Sequence, residues 1–328
     1  MSAGPLESGA GTRPGRSLVL VSFATVIALF ALVTMGGVVR VTGSGLGCPD
    51  WPLCHGKLIP PLDTPTLIEY SHRLLASVAG LLVLATAVLA WRSHRREPRV
   101  MAPATLALVL LVIQVVVGGL AVLGELPPET VTLHLALAEA LLASILVVWL
   151  VAWRSASLTT GRLVIGSRRE PDRILYLGAL LFGYILLLSG SYVVGSGATT
   201  ACVDWPLCQG SLLPVGRLPL VHVAHRFFAA AFGVLVVVTA VTAWRLRPDL
   251  RVAAACLAAL FAGQVAVGAA LVWLRFPAPA QALHLSVATA VWMNLVALTV
   301  LAFLTPARRT PSGRVSPKAI LEPGKASR

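Results

Sequence analysis

Eight apolar runs mark this chain, and each is long enough to cross a membrane: about 17–39, 67–91, 102–123, 131–153, 174–195, 219–244, 251–273 and 281–304. At ~1.5 Å per residue, about twenty residues span ~30 Å of hydrocarbon. Backbone inside hydrocarbon must satisfy its own hydrogen bonds, so such runs fold as helices. The first run is too long for the apolar stretch of a secretion signal and reads as a spanning helix. Composition agrees, with 57% hydrophobic and 12% charged residues, roughly half the charged share of a soluble domain. The net charge of +13 does not point to nucleic acid, because no basic face with interleaved aromatics is present to receive it.

The basic residues instead orient the chain. Twenty of the 26 Lys and Arg lie in the N-terminal tail, the 2–3, 4–5 and 6–7 loops, and the C-terminal tail. The opposite loops carry only Arg40, Lys57, Arg217 and Arg275. This bias predicts a multi-pass cell-membrane protein with both termini cytoplasmic and the cysteine-bearing loops extracytoplasmic.

The chain is also written twice. Cys48-Pro-Asp-Trp-Pro-Leu-Cys54 returns as Cys202-Val-Asp-Trp-Pro-Leu-Cys208, and His72-Arg73 as His225-Arg226. Gln114 with Gly118 returns as Gln264 with Gly268, and Leu133-His134-Leu135 as Leu283-His284-Leu285. Four helices is an even number, so the copies share one orientation. The expected fold is an all-α membrane protein, eight transmembrane helices forming two parallel four-helix-bundle repeats over 17–153 and 174–304. A cytoplasmic tail (1–16), a cytoplasmic linker (154–173) and a disordered tail (305–328) complete the chain. A homo-oligomer is compatible with this reading.

Five of the seven histidines, His72, His134, His222, His225 and His284, fall near the starts of even-numbered runs, ~5–9 Å into the helix. An imidazole at that depth needs a partner and marks a functional candidate. For one histidine alone, an interhelical hydrogen bond would suffice. Here each half supplies one histidine from its second helix and one from its fourth, and two facing imidazoles in a four-helix bundle can clamp a porphyrin iron. Zinc would want four ligands, and only Glu69 and His222 could add to either pair. Arg73 and Arg226 follow helix histidines and are candidate propionate-binding forks; snorkelling to the interface is the competing reading.

The halves differ at one informative place. Glu69 lies three residues before His72, while His222 lies three before His225. A carboxylate beside one heme position only could stabilise developing positive charge or move protons, or it could anchor His72 or a loop amide. Glu139, five residues after His134, points to another helix. The C-x5-C pairs suit disulfides in an oxidising compartment. A structural staple is favoured for Cys202 and Cys208, while Cys48 and Cys54 are open between staple and redox-active pair. Cys256 reads as core packing, Gly118, Gly119, Gly268 and Ala269 as sites of close helix approach, and Gln114 and Gln264 as cross-helix hydrogen bonders.

Over residues 17–304 the chain resembles the heme A synthase family. The resemblance rests on Thr42-Gly43-Ser44-Gly45-Leu46-Gly47-Cys48 running on through His55-Gly56, on Glu69-Tyr70-Ser71-His72-Arg73, and on the duplicated His-Arg and Leu-His-Leu signatures. It implies a membrane enzyme that oxidises a methyl group of heme O to the formyl group of heme A for terminal oxidases. It maps the cofactor, heme b, onto His225 and His284, the substrate heme onto His72 and His134, the essential carboxylate onto Glu69, and the first-loop cysteine pair onto Cys48 and Cys54. A heme O synthase (farnesyltransferase) is the implied upstream partner. The rival readings are a non-enzymatic diheme b-type electron carrier, a heme or small-molecule transporter, and a membrane thiol oxidoreductase. The asymmetry between Glu69 and His222 favours the enzyme, because an electron relay has little need of an acid in one half.

Overall fold

The computed structural model describes residues 14–157, 163–165 and 170–306. Eight long helices account for nearly all of it: α1 (Pro14–Val41), α2 (Thr64–Ser93), α3 (Pro98–Leu123), α4 (Pro128–Ser157), α5 (Glu170–Gly195), α6 (Arg217–Leu246), α7 (Arg251–Trp273) and α8 (Ala278–Phe303). Each is long and apolar enough to span a bilayer. The predicted runs are all found, most with helix extending a few residues beyond the apolar stretch. The starts explain themselves locally. Pro98 and Pro128 open α3 and α4, where a missing N–H costs nothing. Asp63 caps α2 by accepting from the Thr66 N–H at 3.2 Å.

Neighbouring helices define two rings. In α1–α4, α1 packs on α2, α2 on α3, α3 on α4 and α4 on α1; in α5–α8 the same four contacts recur. Between the rings, α1 meets α8, α4 meets α5, and α4 meets α8. This places α4 and α8 at the centre, and their spans are 56% and 50% buried, against 17–33% for the other six. The largest apolar cluster joins the rings, with Val26 and Leu29 of α1, Leu142 and Ile145 of α4, Leu187 of α5 and Trp292 and Val296 of α8. Apolar side chains on the outer helices stay exposed because lipid tails are as good a solvent for them as protein.

The connections α3–α4 and α7–α8 are built alike. Glu125 and Leu126 in the first, and Arg275 and Phe276 in the second, have φ near +60°. In each the second residue's N–H returns to a carbonyl five back, Leu126 to Ala121 at 2.7 Å and Phe276 to Leu271 at 2.8 Å, closing the helix end in left-handed backbone. The expected all-helical reading is amended at the opposite end. Leu163–Ile165, inside the expected linker, pairs antiparallel with Leu304–Pro306 just past α8. Residues 1–13 and 307–328, which hold most of the two expected tails, lie outside the described residues, while Pro14–Arg16 are already helical.

Candidate functional site

The site forms at the end of the bundle that carries the disulfide loops, the end from which the even-numbered helices start. Because those helices begin earlier than the apolar runs, the histidines lie deeper than expected. His134 is six residues into α4 and His72 eight into α2, ~9–12 Å along the axis.

His72 lies within electrostatic reach of His134, and His225 of His284. Each ring edge rests on a glycine of the preceding odd-numbered helix. A Cβ on Gly36 would stand 3.3 Å from His72 Cε1, on Gly118 2.8 Å from His134 Cε1, on Gly190 3.2 Å from His225 Cε1, and on Gly268 3.1 Å from His284 Cε1. Gly118 and Gly268 therefore make room for an imidazole rather than for a whole helix. Gly119 makes room for the Trp51 ring, 2.9 Å from where its Cβ would be. Gly36 and Gly190 were not singled out by sequence, though each sits in an apolar helix at a matching position of its half.

The glutamines bond across helices, as expected, but to the candidate ligands. The Gln114 amide is 3.2 Å from His134 Nε2, and the Gln264 amide 3.2 Å from His284 Nε2. Ser189 Oγ is 2.7 Å from His225 Nδ1. Buried Nδ1 atoms of His72, His134 and His284 have no hydrogen-bond partner. A ring with one nitrogen steadied by an amide and the other buried and unpartnered is what a metal-ligating imidazole looks like before its metal. His134 and His284 fit that description, one in each pair; with His72 and His225 beside them, each pair offers two imidazoles and no carboxylate, a set that fits a planar iron porphyrin better than a bare ion. Among the described residues no cluster of three or more His, Cys, Asp or Glu is placed to hold a metal.

Glu69 pairs with Arg73 rather than with His72. It is buried, and its Oε1 accepts from Arg73 Nε at 2.8 Å. The rest of the Arg73 fork donates to the carbonyls of Asp50 and Leu53 from Nη1 and of Cys48 from Nη2, each at 2.8 Å. Arg226 repeats the clasp on the carbonyls of Asp204, Pro206 and Leu207. Four of the five N–H donors of Arg73 are thus committed to the protein, and Arg226 Nη1 is likewise held by its loop carbonyls. His222 stands where Glu69 stands. Its Nδ1 is 2.9 Å from the Ala198 carbonyl and its Nε2 3.3 Å from Arg226 Nη2, so it tethers α6 to its loop and is free for no metal.

Each loop is closed by a disulfide, Cys48–Cys54 and Cys202–Cys208, and both hold a cis Trp–Pro peptide. Inside each, an aspartate gathers two backbone N–H groups. Asp50 accepts from His55 at 2.6 Å and Gly56 at 2.7 Å, Asp204 from Gln209 at 3.1 Å and Gly210 at 2.9 Å. The Gly56 and Gly210 N–H groups, first among several causes, hold these carboxyls below the usual carboxylate range. His55, exposed in the loop, bonds the Gly47 carbonyl at 2.9 Å. Cys256 is exposed on α7, which corrects its reading as core.

A sequence profile described as cytochrome oxidase assembly protein, COX15-CtaA, matches residues 19–296. A protein of Symbiobacterium thermophilum named heme A synthase is 33% identical over 84% of this chain and 92% of its own length. Proteins of the same name from Halalkalibacterium halodurans and Geobacillus kaustophilus are 32% and 33% identical, covering 71% and 70% of this chain and 77% and 73% of theirs.

Proposed function

The chain belongs to the COX15-CtaA family of cytochrome oxidase assembly proteins, and on that footing we propose that it is a heme A synthase, oxidising a methyl group of heme O to the formyl group of heme A. The observation that carries the reading is the repeated pair of partly buried, glycine-cradled imidazoles combined with an acid in one half only. His225 and His284 hold heme b, the former fixed by Ser189 and the latter by Gln264. His72 and His134 hold heme O, with Gln114 fixing His134. Held by His225 and His284, a heme b would supply one-electron redox chemistry to the site.

The conversion takes one methyl carbon and one water to a formyl group, with four protons passing to solvent and four electrons to an external one-electron acceptor. Positive charge develops at that carbon as electrons leave, and a buried carboxylate is the natural counter-charge. Glu69 supplies it, ionised by its 2.8 Å pairing with Arg73, and accepts a proton as oxygen adds. His222 leaves the other half without such a group, which suits a heme that is kept rather than altered. The matching helix neighbours of the two rings, the twin disulfide loops and the matching glycine–histidine contacts support a duplicated four-helix unit. The arginine-rich loops support a cytoplasmic placement of the end opposite the disulfides.

The test is expression in cells that make heme O but lack their own heme A synthase, followed by pigment extraction and mass analysis. Heme A in the extract is expected; a protein that carries heme yet leaves heme O unchanged would overturn the reading and return the diheme carrier.

A further inference from the structure

Glu139 plays no part in the scheme above, yet it and Glu69 are the two buried acids among the described residues. It is fully buried, as is Thr289, which donates to Glu139 Oε1 at 2.6 Å. Its Oε2 is buried with no partner. The indole of Trp292 donates to the Glu139 carbonyl at 3.1 Å. Glu139 lies five residues after His134 and Thr289 five after His284, so the bond joins matching positions of α4 and α8, ~7.5 Å along each axis from a candidate ligand.

Among the described residues no cation is paired with this acid. From α5, Tyr184 is close enough to feel its charge, while α8 brings Thr289 and Trp292. The charged side chains of α1 and α3 are Arg16, Arg40 and Arg99, all near helix ends. An unpaired carboxylate in hydrocarbon is costly, so the acid holds its proton unless positive charge comes near. Polar groups approach it along α4 from the cysteine end. Thr132 Oγ1 is 3.1 Å from Ser191 Oγ, and Tyr184 donates to the Ala136 carbonyl at 2.6 Å. Positions 132, 136 and 139 lie on one face of α4.

We propose that Glu139 is the proton-exchanging group shared by the two heme positions, taking up one proton from the aqueous phase at the cysteine end when an electron arrives. Glu139 is ionised while ferric iron on either side supplies positive charge. It gains the proton when a one-electron donor reduces that iron from Fe(III) to Fe(II), and loses it on reoxidation. The inference rests on heme lying between the histidine pairs.

The experiment is a redox titration of the purified heme-loaded protein, with dithionite and mediators, at a series of pH values around neutrality. Glu139→Gln can still accept from Thr289 but exchanges no proton. Its midpoint potential is expected to depend less on pH than that of the unmodified protein, at unchanged heme content. An equal slope in the two would overturn the proposal. Should Glu139→Gln fail to fold, redox-difference infrared spectra of the unmodified protein and of Glu139→Asp decide. A carboxylic C=O band that changes with reduction and shifts in Glu139→Asp is expected, and a band identical in both would overturn it. Failure of the underlying heme assignment reads differently, as a protein with no heme to titrate.

Discussion

Glu69 and Arg73 form a 2.8 Å ion pair one turn apart on α2, and the same guanidinium holds the Cys48, Asp50 and Leu53 carbonyls of the disulfide loop. The proposed catalytic acid and the loop above it are therefore parts of one hydrogen-bonded unit.

Glu69→Gln keeps an acceptor for Arg73 and removes the charge. Heme content is expected to stay, while heme A output falls by about 100-fold or more, the scale of a lost charge-stabilising or proton-transferring group. Mass analysis of extracted pigments measures both; normal heme A would take Glu69 out of the reaction.

Arg73→Met strands a buried carboxylate and frees three carbonyls. The cost expected is about 3–5 kcal/mol, as for breaking one side of a buried pair. Arg226→Met likewise frees its loop carbonyls but leaves an imidazole rather than a carboxylate behind, so its loss is expected to be smaller. Thermal unfolding in detergent, comparing the two variants, decides.

His225→Ala and His284→Ala are expected to yield protein lacking its resident heme. His72→Ala and His134→Ala are expected to keep that heme and to lose heme A output. Absorbance of the purified variants together with pigment analysis separates the pairs; loss of all heme from every variant would remove the division of labour.

A methyl on the cradling glycines should tilt the imidazoles in the order of the clearances. Gly118→Ala, at 2.8 Å, is expected to weaken heme retention more than Gly268→Ala at 3.1 Å or Gly36→Ala at 3.3 Å. Gly178→Ala, with open space around its Cβ, is the control, expected to stabilise α5 by about 0.5–1 kcal/mol. Heme loss against temperature gives the ranking.

Asp50 and Asp204 bind N–H groups that hold their carboxyls below the usual range. A depressed folded value contributes stability above the unfolded pKa of ~3.9, lost as pH falls through the folded value. Both loops are expected to stay set at neutral pH and to loosen only in acid below about pH 4. Asp50→Asn, with one acceptor instead of two, should loosen the first loop at all pH values. Hydrogen exchange at the Gly56 and Gly210 amides reports each loop separately.

Much of this was legible in the sequence. Hydropathy is a local property, a free energy of transfer summed along a run, and so the eight helices could be placed without knowing their neighbours. His72, His134, His225 and His284 stood out because a polar ring in an apolar helix is anomalous wherever the helix packs, and the repeated spacing paired them. Other contacts depend on which helices are neighbours. Gln114 on His134, Gly36 beneath His72, Arg73 on the loop carbonyls and Thr289 on Glu139, 150 residues apart, all required the packed bundle. Lipid tails attract an apolar helix face as strongly as another helix does, so hydropathy cannot choose the neighbours. Close packing and the few buried hydrogen bonds chose them.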